Sequence, residues 1–409
     1  MFTLIENGEV YAPQHLGNPT VLLAHDKIVK IGDISREDVK ALGVDVETID
    51  ASGCYVTPGL IDAHQHVLGG SGEKGFASQT PEISATEIVE GGITSVVGCL
   101  GADTTMKTLP GLLAKVKGLK EEGLNAYMWS GGYNVPPKSI TASIRDDIMF
   151  IEEVVGCGEV ALADERSTGP TAQELARIVH DSYVGGMLSS KAGITHFHVG
   201  DGEERLSIIR ELIDKHAVSP EWIWITHITR SEKLMLEAIE FAKNGGWVDI
   251  DTVDENLPEC VKFYLDHTGW EEKLTVSSDA SKTSPQNLFK EIRKCVLNAE
   301  MPLETVLRFV TSNVANVLKL EIKGTLEAGK AADVLVMTKA DMELREVISL
   351  GRRLMKEGRL SFSEKFLKDS NRKVTLEGEK REERAMPPNH FASEKARAAF
   401  VESFVCEGK

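Results

Sequence analysis

A chain of 409 residues with a net charge of −17, 42% hydrophobic and 27% charged residues, has the composition of an ordinary folded protein, long enough for a large α/β barrel plus a smaller domain. No window offers the roughly 20 apolar residues of a membrane-spanning helix. The acidic balance disfavours nucleic acid and anionic membranes as partners, which leaves a small molecule as the expected ligand.

The N-terminus, Met1-Phe2-Thr3-Leu4-Ile5-Glu6, lacks the basic stretch and apolar core of a signal peptide, so a cytoplasmic location is expected. Residues 1–55 alternate short β-type runs with turns, as in Val21-Leu22-Leu23-Ala24 and Lys27 to Gly32, and read as part of a small β-sandwich. From there to about residue 320, short apolar runs alternate with helix-length amphipathic segments, the pattern of a parallel sheet with crossover helices. The runs are Leu60–Ala63, Thr94–Val97, Ala126–Trp129, Glu159–Leu162, Thr195–His198, Trp224–His227, Trp247–Ile250 and Leu274–Ser277. Eight of them in about 260 residues predict a (β/α)8 TIM barrel over residues 56–320. Helices are expected over Thr171–Val184, Glu203–His216 and Ser231–Asn244, where apolar residues recur at helical spacing. Residues 321–362 return to β-type text, with Asp333 to Met337 the clearest strand, and are expected to complete the sandwich begun by the N-terminus. Residues 363–409 form a charged tail, with the run Glu379-Lys380-Arg381-Glu382-Glu383-Arg384 and a helical pattern at Glu394–Phe404. The six cysteines, Cys54, Cys99, Cys157, Cys260, Cys295 and Cys406, form no Cys-x-x-Cys pair and read as reduced, mostly core residues.

Chemistry concentrates at the C-terminal ends of the expected strands, which converge on the mouth of a barrel. His64 and His66 flank Gln65 on strand one, and a strand's period of two sends both imidazoles to one face. His198 ends strand five, His227 strand six, and Asp279 follows strand eight. Singly each reads as a core histidine or a helix cap; together they point to a borderline cation such as Zn²⁺. His196 lies one strand step deeper than His198 and is expected to support or pack rather than ligate. His180, His216 and His267 fall on helical patterns facing away. Lys191 precedes strand five and belongs at the opposite end of the barrel.

The run Pro58-Gly59-Leu60-Ile61-Asp62-Ala63-His64-Gln65-His66, with Ser278-Asp279 and the late segment Gly324 to Val334, resembles the amidohydrolase superfamily. Within it, Gly69 to Glu73, Thr94 to Gly98, Gly132 to Pro136, Asp164 to Ser167, Phe197 to Asp201 and Thr226 to Arg230 resemble the bacterial isoaspartyl (β-aspartyl) dipeptidases, over roughly residues 3–360. The resemblance implies two divalent metals, expected to be zinc: one held by His64, His66 and Asp279, the other by His198 and His227, with a carboxylate shared between them. Most relatives use a carbamylated lysine as that bridge. Here Glu159 stands where the lysine is sought, and a glutamate bridges cations without carbon dioxide. Hydrolysis of the β-aspartyl isopeptide bond by metal-activated hydroxide follows, with Asp279 as base and Tyr133 donating to the oxyanion.

For the substrate's charges, Glu73 is expected to meet the ammonium, and Arg166 and Arg230 the carboxylates. Ser71, Gly72 and Thr283 match substrate-contact positions by resemblance. Ala102 stands where the family carries threonine, which removes one polar contact. A homo-oligomer is implied. Two rival readings stand beside this one: an amidohydrolase of N-acyl amino acids or cyclic amides, as in dihydroorotases and hydantoinases, and a metal-free barrel serving as a non-enzymatic assembly module.

Overall fold

The structure, a computed structural model, describes residues 2–371. All eight expected runs are strands: β1 (Leu60–Gln65), β2 (Ile93–Gly98), β3 (Asn125–Ser130), β4 (Val154–Leu162), β5 (Ile194–Val199), β6 (Ile223–Thr226), β7 (Trp247–Asp251) and β8 (Leu274–Ser277). They pair in chain order into one parallel sheet. A bridge between Gln65 and Ala280 brings the last strand round to the first. The buried Asp62 carboxylate ties the same seam, accepting from Ser278 N at 3.1 Å, His64 N at 3.2 Å and Gln65 Nε2 at 2.7 Å. The result is a nearly closed TIM barrel. β4 begins at Val154, earlier than expected, because the apolar lead-in Val154-Val155 continues through two glycines before reaching Glu159.

The crossover helices follow their caps and periodicity. Thr171 caps the helix Ala172–Ser189 through a reciprocal pair with Glu174, and Ala172, Leu175, Ala176 and Val179 form its buried stripe. That helix outruns its expected end at Val184 through Gly185 and Gly186. At Gly186 a Cβ would lie 2.5 Å from the backbone of Gly193, so only glycine permits the approach. The helices Ser207–His216 and Glu232–Lys243 cover the next two crossovers.

Both chain ends build the smaller part. Strands Phe2–Glu6, Thr20–Ala24, Lys27–Gly32 and Val46–Asp50 form a four-stranded sheet. A seven-stranded sheet joins Glu9–Tyr11, His15–Gly17 and Cys54–Pro58 to four strands between Val334 and Leu360. The seam is antiparallel, with Val334 opposite Pro58 and Val336 opposite Val56. Ile5, Val21, Leu23, Ile28 and Ile49 of the first sheet pack on Val10, Val56, Val334, Val336 and Ile348 of the second. The alternate residues Leu335, Met337 and Val347 turn the other way, onto the barrel's core. The chain enters the barrel after strand Cys54–Pro58, so the division expected between residues 55 and 56 falls inside a strand.

Glu364 accepts from the backbone N and the hydroxyl of Thr86, both at 3.1 Å, so the first residues of the expected tail are tied to the barrel. The charged run at 379–384, the helical pattern at 394–404 and Cys406 lie outside the described residues. Among the described residues the five cysteines are free and buried, and no helix is long and apolar enough to cross a membrane.

Candidate metal centre and substrate pocket

The donors expected at strand ends meet at one point. Glu159 projects from β4 into the middle of the barrel mouth, fully buried. Its Oε1 lies 3.2 Å from His64 Nε2 and 3.5 Å from His66 Nε2. Its Oε2 lies 3.3 Å from His198 Nδ1 and 3.7 Å from His227 Nε2. The carboxylate thus divides its two oxygens between two histidine pairs. Asp279 joins the first pair, with Oδ1 3.1 Å from His66 Nε2 and 3.4 Å from His64 Nε2. Gly101 makes room for this packing: a Cβ there would sit 2.9 Å from His66 Cε1.

The far nitrogen of each ring is engaged elsewhere. His198 Nε2 meets Asp164 Oδ2 at 2.8 Å, and His227 Nδ1 meets Asp251 Oδ2 at 2.7 Å. A carboxylate only accepts, so with a cation beside Glu159 the far nitrogens would keep their protons for Asp164 and Asp251 and the near ones would offer their lone pairs. His66 Nδ1 lies 3.6 Å from Cys99 Sγ, and His64 Nδ1 lies 3.3 Å from His196 Nε2. This is how histidines are held for cations, with outer partners fixing tautomer and ring angle.

A cation fits what the protein leaves unsatisfied. His64 Nε2 and Glu159 Oε1 are both buried without a hydrogen-bond partner, although they face each other. Burial pulls His64 and His66 down, yet Glu159, Cys99 and Asp279 around His64, and Cys99 and Asp279 around His66, outweigh it and drive both well above the usual histidine value. Burial pushes Glu159 and Asp279 up, and the histidines override it, holding both carboxyls below their ordinary range. The cluster therefore draws positive charge into a buried place, as a divalent ion supplies. Two overlapping donor sets have this character: His64, His66, Cys99 and Glu159, and Glu159, His198 and His227. Nitrogen, carboxylate and thiol donors suit a borderline metal.

Above the donors, a pocket of about 160 Å³ is lined by residues that include Ser71, Glu73, Ala102, Tyr133, Arg166, Arg230 and Thr283, and it opens into a mouth of about 1190 Å³. The larger cavity is the solvent-facing entrance; the chemistry-bearing groups line the smaller one. Glu73 accepts from Ser71 Oγ at 2.9 Å and lies 3.3 Å from Arg166 and 3.5 Å from Lys282. The buried Tyr133 hydroxyl lies 2.8 Å from His198 Nδ1, and burial, then Glu159, keeps the phenol protonated as a donor. Thr283 Oγ1 is buried and unpartnered. Gly72, with φ of 104°, sits in the adjoining loop beside Gln79.

Arg166 differs from expectation in one respect. Its fork is already closed on Asp164, with Nε and a terminal nitrogen each at 2.8 Å from a carboxylate oxygen. Arg230 is looser, with Asp201 at 3.6 Å. His196 lies beneath the donors, stacked on Trp129 at 5.0 Å, in keeping with a supporting place. Lys191 donates to the carbonyls of Ile148 and Ile151, away from the mouth. His180 meets the His216 carbonyl, and His267 the Phe263 carbonyl, both outside the site.

Sequence reasoning missed Asp164, Asp251 and Cys99. Asp251 carried a usable signal, since it shares a face with Asp249 at the C-terminal end of β7. Asp164 lies in a loop and Cys99 just beyond β2, where no periodicity marks the direction of a side chain.

Residues 55–354 match the amidohydrolase family. The chain belongs to that family. A solved β-aspartyl dipeptidase from Fervidobacterium islandicum aligns with this amidohydrolase at 38% identity and a TM-score of 0.85, covering 89% of this chain and 99% of that one. A second structure, of β-aspartyl dipeptidase from the same organism in complex with the β-Asp-Leu dipeptide, gives 36% identity and a TM-score of 0.83 over the same shares. A dihydroorotase from Lactobacillus gasseri is 23% identical over 395 residues, 82% of this chain and 89% of its own. An imidazolonepropionase from Methylobacterium nodulans is 35% identical over 102 residues, 26% of its length and 24% of this chain. This amidohydrolase is a hydrolytic enzyme, not a bare assembly module.

Proposed function

We propose that this amidohydrolase hydrolyses the β-aspartyl bond of isoaspartyl dipeptides at a centre of two zinc ions. His64, His66 and Asp279 would hold one ion, His198 and His227 the other, and Glu159 both, in place of a carbamylated lysine. The observation that carries the reading is the Glu159 carboxylate, whose two oxygens face two separate histidine pairs beneath a pocket of mixed charge.

Two cations, when bound there, would lower the pKa of a water from ~15.7 towards ~7 and would polarise the amide carbonyl. The chain's own groups do the rest. Asp279, kept ionised by the histidines around it, takes the water's proton on a carboxylate oxygen and passes it to the leaving amine nitrogen. Tyr133, neutral and aimed into the cluster, donates a hydrogen bond to the amide oxygen as negative charge develops there and keeps its proton.

An isoaspartyl dipeptide carries one ammonium and two carboxylates. Glu73 meets the ammonium, helped into place by Ser71 and by the turn that Gly72 allows. Arg230 and Thr283 offer the freest donors to a carboxylate, while Arg166, anchored by Asp164, presents its remaining edge beside Glu73. Ala102 contributes an apolar wall. A homo-oligomer in the cytoplasm is part of the same reading.

The match to a dihydroorotase over 82% of this chain supports a second reading, opening of a cyclic amide, which needs no partner for an ammonium. Zinc-reconstituted protein assayed against β-Asp-Leu, an N-acyl amino acid and dihydroorotate separates them. Turnover of β-Asp-Leu alone is expected; turnover of dihydroorotate without β-Asp-Leu replaces the dipeptidase reading.

A further inference from the structure

The loops that follow β1 and β8 are knitted together at their roots, where His66 N donates to the Ala280 carbonyl at 2.9 Å and Gln65 bridges to Ala280. Further out, each loop brings one charge to the same point. Glu73 comes from the loop after β1, and Lys282 from the loop after β8, three residues beyond Asp279. Lys282 Nζ lies 3.5 Å from Glu73 Oε2, the oxygen that also accepts from Ser71 Oγ. The other oxygen, Oε1, faces Arg166 at 3.3 Å.

The two cations beside Glu73 differ in how firmly they are held. Arg166 is closed on Asp164 through two contacts at 2.8 Å. The Lys282 side chain is 64% exposed, and Glu73 is its one anionic partner among the described residues. An ion pair this open to water contributes little, and lysine carries its charge on a flexible stem, so this pair exchanges readily. Lys282 also lines both the inner pocket and the mouth. Of the other cations in the inner pocket, Lys107 donates to the Leu68 carbonyl and Arg230 faces Asp201.

We propose that Lys282 and Glu73 form a clamp for the α-amino acid head group of the aspartyl half: the substrate ammonium displaces Lys282 from Glu73 Oε2, and Lys282 turns to the α-carboxylate. The inference rests on the dipeptidase reading and adds a specificity-determining residue to it. The head group carries its ammonium and carboxylate on one carbon, and the Lys282–Glu73 pair holds the opposite two charges side by side. Exchange of partners therefore leaves every charge paired. A substrate with the ammonium alone also displaces Lys282, but gives it no counter-charge, and is disfavoured for that reason. The carboxylate of the released residue, on the far side of the scissile amide, is left to Arg230 and Thr283.

β-Ala-Leu is β-Asp-Leu without the α-carboxylate, so it isolates the contact. The test compares kcat/KM for the two dipeptides in the zinc-loaded full chain, in Lys282→Met and in Lys282→Arg. Inhibition of β-Asp-Leu hydrolysis by aspartate and by β-alanine, the acids the two dipeptides release, makes the same comparison whatever the rate on β-Ala-Leu. Lys282→Met is expected to lose on the order of tenfold in kcat/KM on β-Asp-Leu, through KM, and to weaken inhibition by aspartate by a similar factor. β-Ala-Leu and β-alanine are expected to hold or gain, since Glu73 then has no lysine to release. Lys282→Arg is expected to retain most of the discrimination. Equal losses on both dipeptides, or a discrimination that Lys282→Met leaves unchanged, overturns the clamp while the dipeptidase reading stands. Turnover of neither dipeptide by metal-loaded wild type overturns the dipeptidase reading, and the clamp with it.

Discussion

His227 Nδ1 lies 2.7 Å from Asp251 Oδ2, so the aspartate at the end of β7 turns the opposite nitrogen of the ring towards Glu159. Partners of this kind set the angle and basicity of a histidine ligand, and losing one costs about 10–100-fold in metal affinity. Asp251→Asn is expected to weaken zinc binding by that factor in competition with a chromophoric chelator. Affinity equal to wild type would remove Asp251 from the metal centre.

Glu159→Gln keeps the shape of the bridge and removes its charge. With neutral amide atoms between the two histidine pairs, the expected zinc content falls from two equivalents to one, and activity drops by on the order of a hundredfold or more. Elemental analysis after gel filtration reads the first effect directly. A variant that still holds two equivalents contradicts the bridging role.

Glu73 stands where the substrate ammonium is expected, tethered by Ser71 and flanked by Arg166. A hydrogen bond between charged partners contributes about 1.5–3 kcal/mol. Glu73→Gln should therefore raise KM for β-Asp-Leu by about 10–100-fold with a smaller change in kcat, the signature of a binding contact. A fall confined to kcat would instead give Glu73 a part in the chemical step.

The weld between barrel and sandwich is also testable. Lys323 Nζ meets Asp333 Oδ2 at 2.7 Å in a buried setting, and Asp333 also accepts from Asn125 Nδ2 at 3.2 Å and Leu350 N at 2.8 Å. Removing one partner of a buried pair strands the other charge at a cost of about 3–5 kcal/mol. Lys323→Met is expected to destabilise the protein by that amount in thermal or denaturant unfolding. A change within about 0.5 kcal/mol would show that water or Asn125 neutralises Asp333 without the lysine.

Much of this was legible in the sequence because a barrel strand signals its inner and outer faces by period and its chemistry by its C-terminal end. His64 and His66, two residues apart, had to share a face, and they do. Glu159 was singled out by the family resemblance, as the residue standing where most relatives carry a lysine, and it lies between the histidine pairs. The sandwich was harder to resolve, since strand Cys54–Pro58 joins late-chain partners across the expected boundary and no local pattern reports such a pairing. The closure of Arg166 on Asp164 was hidden for a related reason: both residues sit in a loop, where spacing does not fix direction.

The most direct measurement is β-Asp-Leu hydrolysis during titration of metal-free protein with zinc, in buffer purged of bicarbonate. A Glu159 bridge requires activity to rise until two equivalents are bound and to remain the same when bicarbonate is restored. No activity at any zinc level, or activity that appears only with bicarbonate, would contradict a glutamate-bridged dipeptidase.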